Sequence, residues 1–222
     1  MIPLRDVIPS RTTPFVTLTI IALNAAAWLF EINLSSDVLP LFLRTYGVVP
    51  ADVQVTTLVT SMFLHGSWSH VIGNMWYLWI FGDNVEDRLG HGRFIVFYFL
   101  CGIAAALGQV WMDPTSTLPT IGASGAIAGV MGAYFVLFPK SRVLTLIPLI
   151  IFWEIIELPA IFLLGFWFVL QLVSAGTLAG SANAGGGGVA FAAHVAGFVT
   201  GLIGVFVFRK REAGEWVYGS RA

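Results

Sequence analysis

The sequence predicts an all-α polytopic membrane protein, a bundle of six spanning helices with both termini cytoplasmic. Three observations predict it. Of the 222 residues, 57% are hydrophobic and only 10% are charged, where soluble domains carry about 25%, and the mean hydropathy is +0.86. Six segments approach the run of about 20 apolar residues that crosses a bilayer. The cationic residues then segregate to one side of the chain that those segments define. The same composition excludes an ordinary cytosolic enzyme and a disordered chain. With 11 Lys+Arg against 12 Asp+Glu there is no basic surplus to neutralise phosphates, so nucleic acid is not an expected partner. The single cysteine, Cys101, excludes an intramolecular disulfide and a cysteine metal cluster and reads as a packing residue. No metal or other cofactor is expected, and there is no HExxH zinc motif.

The first segment, Phe15 to Leu34, carries Glu31 near its end. The second opens near Ser69. Its apolar part stops at Phe81, before Gly82, Asp83 and Asn84, so the helix must continue through VEDRLG (Val85 to Gly90). The third is Phe94 to Met112, and the fourth is Gly122 to Phe138, ended by Pro139, which cannot continue a helix. The fifth runs from Leu158 to Leu178 and the sixth from Val189 to Phe208, closed by Arg209, Lys210 and Arg211. Val143 to Ile156 is apolar but broken by Pro148 and carries Glu154. It reads as an interfacial connector, because a seventh span there would invert the last helix.

Cytoplasmic loops carry an excess of Lys and Arg. Six spans put Arg5, Arg11, Arg88, Arg93, Lys140, Arg142, Arg209, Lys210, Arg211 and Arg221 on one side and Arg44 alone on the other. Both termini are therefore expected in the cytoplasm, with the loops near 35–68, 113–121 and 179–188 facing outward. Arg5 and Arg11 ahead of an apolar run resemble a signal peptide, but the run continues past Ala25-Ala26-Ala27 to Phe30, which suits an uncleaved helix. The expected organisation is a cytoplasmic segment 1–14, a membrane domain 15–209 and a cytoplasmic tail 210–222.

Strongly polar groups at bilayer depth are costly, so each is a functional candidate. His70, Asn74 and His194 fall inside spans and Ser124 opens one. His65 and His91 fall in loops or at helix ends, where no role is expected. His70 and Asn74, at i and i+4, share a helix face. Ser124 lies 16 residues before Lys140, about 24 Å of helix, and His194 lies 15 residues before Arg209, about 22 Å. The two therefore sit at one depth in the outer half of the bilayer, with His70 on the same side. Gly125/Gly129 and Gly197/Gly201 are small-xxx-small pairs that let helices approach closely. A hydrogen-bonded Ser–His pair is the minimal activated nucleophile. Asn74, His70 and the N–H groups of a helix N-terminus at Ser124 are candidate oxyanion donors. No acidic residue is placed to orient His194, which predicts a dyad rather than a triad. Each group alone has a plain alternative as a helix-packing or cross-linking residue, and a transporter pathway is a further alternative. The clustering at one depth, rather than along a path across the membrane, favours the catalytic reading.

These residues resemble the rhomboid family of intramembrane serine proteases. The matching pieces are HGSWSHVIGN (His65 to Asn74), VEDRLG, GASGAIAGVMGAY (Gly122 to Tyr134), ELPAIFLLGFWFVLQ (Glu157 to Gln171) and AHVAGFVTG (Ala193 to Gly201). They occur in family order over nearly the whole chain. The resemblance implies a six-transmembrane-helix rhomboid bundle, N-in/C-in, with Ser124 as nucleophile and His194 as general base. His70, Asn74 and the Ser124 amide would stabilise the oxyanion. Glu86 and Arg88 would fasten the cytoplasmic end of the second helix to the loop after it. The fifth helix and the Gly185–Gly188 loop would form a gate and cap. Expected substrates are transmembrane segments of membrane proteins, cut near their outward ends, in the lipid bilayer of a prokaryotic plasma membrane. The oligomeric state stays open, and a catalytically silent scaffold that binds membrane clients is the competing reading. Two departures stand out. Ala128 holds the place, one turn after Ser124, where members often carry an aromatic against the histidine, so ring orientation must come from Trp or Phe residues elsewhere. TYGVVPADV (Thr45 to Val53) replaces the Trp-Arg motif of the long outer loop.

Overall fold

The structure, a computed structural model, describes residues 1–148, 153–179 and 190–210. Its elements are β1 (Ile2–Asp6), α1 (Phe15–Glu31), α2 (Leu39–Tyr46), α3 (Thr57–Thr60), a 3-10 turn (Ser61–Phe63), α4 (Trp68–Leu89), α5 (His91–Met112), α6 (Ser124–Leu137), β2 (Arg142–Pro148), β3 (Trp153–Pro159), α7 (Ala160–Ala179) and α8 (Phe191–Phe208).

The molecule is mostly helical, but the all-α expectation is corrected by a three-stranded antiparallel sheet of order β1-β2-β3. Ile2 pairs with Leu146 and Asp6 with Val143; Arg142 pairs with Pro159 and Pro148 with Trp153. The described parts of the stretch read as a connector are two paired strands, β2 and β3. Pro148 bars a helix there, and β-branched residues favour extended chain. Val143 and Thr145 alternate into the core, while Arg142 and Glu157 pair at 3.2 Å on the exposed side.

Among the described residues, three helices have the length and composition to cross a membrane: α5, residues Ala160–Thr177 of α7, and α8. The others expected to span differ in physically distinct ways. Helix α4 has 22 residues but carries Asp83, Glu86, Asp87 and Arg88 in its last two turns. Helices α1 and α6 are apolar but have 17 and 14 residues. At about 1.5 Å per residue, α6 is about 21 Å long. Its residues Gly125 to Tyr134 are buried without a break. A helix wrapped by protein on all sides need not match the thickness of lipid.

The seam around α6 is made of glycine. A Cβ at Gly197 would lie 2.1 Å from the Gly125 carbonyl oxygen, and one at Gly201 only 1.8 Å from that of Gly129. A Cβ at Gly129 would meet both Cys101, buried in α5, and the Gly197 carbonyl oxygen of α8. The small-xxx-small pairs thus bring the α6 and α8 backbones into contact.

The end of the bundle that carries the sheet is held by carboxylates. Glu86 accepts from the backbone N–H groups of Val16 at 2.9 Å and Thr17 at 2.8 Å, supplying the cap that Pro14 cannot. It also binds His91 Nδ1 at 2.5 Å. Glu86 therefore fastens α4 both to the residues after it and back to α1. Asp87 accepts from the Arg11 and Thr12 N–H groups, and Ser10 donates to Asp83. Asp6 accepts from Tyr134 at 2.7 Å and Asn84 at 2.8 Å, and burial lifts its carboxyl to about 7. Arg93 reaches the Phe208 and Arg209 carbonyls, and Lys210 donates to the Asp87 carbonyl. Of the nine described Lys and Arg residues, eight lie at this end. Arg44, on α2, is the exception.

Candidate active site

The opposite end of the bundle holds the polar groups singled out above. Ser124 is the first residue of α6, so its N–H has no carbonyl one turn back to bond. The segment before it is splinted. Val48 and Thr120 exchange N–H···O bonds of 3.0 and 2.8 Å, Ala51 N–H donates to the Ser116 carbonyl, and Gly122 N–H donates to that of Ser61. The TYGVVPADV loop is thus a brace, and its buried Val48 and Val49 hold the approach to α6. Gly122 has φ +121°, and a Cβ there would lie 2.7 Å from His70 Nε2. Only glycine fits that backbone and that space.

Ser124 Oγ lies 2.8 Å from Nε2 of His194, so the two groups matched by depth in the sequence do meet. Nδ1 of His194 bonds Gln171 Oε1 at 2.7 Å. The Trp167 ring packs against the imidazole, tilted at 35° with 5.8 Å between centroids, and Phe191 meets it edge-on. The aromatic missing at Ala128 is supplied from α7. Gln171 was not expected, although a lone amide in the run LLGFWFVLQLV was a readable signal.

His70 and Asn74 face the Gly122 turn. Gly66 N–H donates to His70 Nδ1 at 3.4 Å, so the ring proton sits on Nε2, the atom directed at Gly122. Asn74 Nδ2 lies 2.9 Å from His65 Nε2 and 3.7 Å from the position of a Gly122 Cβ. An amide nitrogen only donates, so one N–H is held by His65 and the second remains for the turn. His65 was expected to have no role. It is 1% exposed, its ring stands 4.9 Å from that of His70, and its backbone N–H donates to Glu31. Burial first, then the neighbouring His70, lowers its pKa to about 4, which keeps it neutral and able to accept. An edge-on ring contact and a buried acceptor role at a loop position leave no periodic trace in sequence.

A cavity of about 30 Å³ beside Ser124 is lined by Ser61, Thr120, Gly122 and Gly125, room for one or two waters. A larger hollow of about 490 Å³ between α1 and α4, lined by Trp28, Trp68, Met75 and Trp79, carries no titratable side chain. The chemistry available is therefore at Ser124: a hydroxyl with a base on it, and a turn ringed by N–H donors. Among the described residues no group of His, Cys, Asp or Glu side chains is arranged to hold a metal. The Gly185–Gly188 loop lies outside the described residues.

The Rhomboid domain family model matches residues 52–211, more than half of the chain. The chain is 33% identical over 109 residues to "Rhomboid protein 1, mitochondrial" of Saccharomyces cerevisiae, covering 46% of this chain and 32% of that protein. It is 33% identical over 127 residues to "Putative rhomboid protease YdcA" of Bacillus subtilis, covering 56% and 62%. It is 27% identical over 205 residues to "Rhomboid-like protein 11, chloroplastic" of Arabidopsis thaliana, covering 84% and 66%. The chain thus spans from about a third to just under two thirds of the length of these relatives. Splinted serine turn, glycine seam, apolar helices and matched sequence agree: this chain is an integral membrane protein of the rhomboid family.

Proposed function

We propose that the protein is an intramembrane serine endopeptidase that cuts transmembrane segments of membrane proteins near the outer face of the bilayer. The observation that carries this is the 2.8 Å contact between Ser124 Oγ and His194 Nε2. In this reading Ser124 attacks the scissile carbonyl as its proton passes to His194 Nε2. The tetrahedral oxyanion is met by N–H donors of His70, Asn74 and the Ser124 backbone. His194 then gives the proton to the leaving amine, and a water deprotonated by the same nitrogen hydrolyses the acyl-enzyme. The substrate helix must unwind locally, because helical hydrogen bonds occupy its carbonyls in lipid.

The organisation proposed is six spans, α1, α4, α5, α6, α7 and α8, with N- and C-termini cytoplasmic. It comprises a cytoplasmic segment 1–14, a membrane domain 15–209 and a tail 210–222. Eight described cations at the sheet end against Arg44 at the other support this orientation. A prokaryotic plasma membrane is the location proposed. A fluorophosphonate probe tests the reading with the full chain in detergent. Labelling and reporter cleavage are expected in the native protein and lost in Ser124→Ala and His194→Ala. A native protein that takes up no probe and cleaves nothing would instead be a silent scaffold.

A further inference from the structure

We propose that Gln171 and Trp167 are positioning residues for His194, so that the seating of α7 decides whether Ser124 has a base. This rests on the serine-protease reading above.

An imidazole has two neutral tautomers, and only the one with its proton on Nδ1 leaves Nε2 free to accept from Ser124 Oγ. Gln171 Oε1, 2.7 Å from Nδ1, is the acceptor that selects that tautomer. Trp167, one turn earlier on α7, packs against the ring at a tilt of 35° and limits its rotation. Nothing on α6 can do either: Ala128, where a ring could stand, is a buried methyl. Both orienting groups therefore sit on a helix that contributes neither member of the reacting pair.

That helix is lightly held. Over its apolar window 17% of α7 is buried, against 39% for α5 and 33% for α8. Leu164, Trp167, Phe168, Gln171 and Ala175 make one face, at the spacing of a single helical stripe. Phe168 stacks on Phe198 at 4.5 Å and Trp167 approaches the same ring at 6.1 Å. The opposite face, with Phe162, Phe166 and Val173, is exposed. A shift of about 1 Å between α7 and α8 carries the Gln171 contact beyond hydrogen-bond length and lifts the indole from the ring in the same movement.

The test compares a small reagent with a large substrate on the full chain in detergent. A fluorophosphonate reaches Ser124 without a helix passing α7, whereas a transmembrane reporter must enter the site. Gln171→Leu is expected to slow probe labelling and to lower kcat by the same factor, about 10- to 100-fold as for other lost orienting partners, with KM unchanged. Gln171→Glu keeps an acceptor at Nδ1 and is expected to recover most of both. Trp167→Ala is expected to slow labelling and Trp167→Phe to spare it. Labelling at the native rate in Gln171→Leu, with only reporter cleavage altered, would assign α7 to substrate passage alone and overturn the proposal. So would equal losses of labelling and thermal stability in both Gln171 variants. The contrast between labelling and cleavage in Gln171→Leu decides even where Gln171→Glu misfolds. Labelling that persists in Ser124→Ala would sink the serine-protease reading itself, and this proposal with it.

Discussion

Gly197→Ala tests the glycine seam as the device that builds the site. The new Cβ would lie 2.1 Å from the Gly125 carbonyl oxygen, where ordinary contact begins at 3.4 Å. The obstacle is backbone and cannot turn aside, so α6 and α8 must part by about 1.3 Å. Gly125 adjoins Ser124, and Gly197 lies one turn beyond His194. The 2.8 Å Ser124–His194 contact would open to roughly 4 Å, past the range of a hydrogen bond. Overpacking of this size costs about 1–3 kcal/mol, which lowers Tm by roughly 2–12 °C in a chain of this length. The rate suffers more, since a misplacement of about 1 Å costs about 100-fold. Probe labelling of Ser124 and thermal unfolding in detergent, measured side by side, should show that disproportion. Gly204→Ala serves as control: its Cβ meets only the Phe97 ring, at 3.3 Å, and labelling should stay near native. If Gly197→Ala labelled at the native rate with its helices intact, close approach would not be what joins serine to histidine.

Gly122→Ala puts a side chain both at φ +121° and against His70 Nε2, and should abolish reporter cleavage while Tm falls only modestly. Glu86→Ala removes the acceptor from the Val16 and Thr17 N–H groups and should cost about 1–3 kcal/mol, read as a lower denaturation midpoint. His65→Leu frees the Asn74 amide and should lower kcat about 10-fold without changing KM; in an Asn74→Ala background it should do nothing further, a non-additivity that kinetics of the four variants checks. Asp6 holds its proton more tightly folded, near 7, than unfolded, near 3.8. Its contribution to stability is thus full below about pH 4 and lost as pH rises through 7, so Tm followed from pH 4.5 to 8 should fall less steeply in Asp6→Asn.

The Ser124–His194 pair was legible because charge is scarce in this chain. Polar groups in apolar helices stand out, and helix rise converts residue counts to depth, so Ser124 and His194 could be matched without coordinates. The glycine pairs were legible for the same reason of regular spacing. What the sequence concealed is whatever depends on contacts between segments of unlike period. Val143 to Ile156 was read as a connector rather than a seventh span, yet its pairing with Ile2–Asp6 joins residues more than 130 apart. His65 looked like a loop histidine because burial at a loop is a tertiary property. Gln171 is marked in the sequence as the lone amide of an apolar run, but its partner is not, since one amide among apolar residues does not say which neighbour it faces. The fourth segment was read as Gly122 to Phe138, and the helix there is the shorter Ser124–Leu137, because its ends are set by the turn at Gly122 and by Pro139 while protein, not lipid, surrounds its middle.

The sheet has a consequence that is arithmetical rather than energetic. An antiparallel ladder cannot be drawn through a bilayer, so β1 and β2 must lie on the same side of it. Whatever helices cross between Asp6 and Arg142, they therefore cross an even number of times. The constraint owes nothing to the distribution of lysine and arginine, and it forbids any arrangement in which one of those helices is skipped or doubled. Because β1 is synthesised long before its partner strand, the register of Asp6 with Val143 can be reached only after the intervening helices have been inserted with an even number of crossings. The ladder is thus a parity check on the inserted chain.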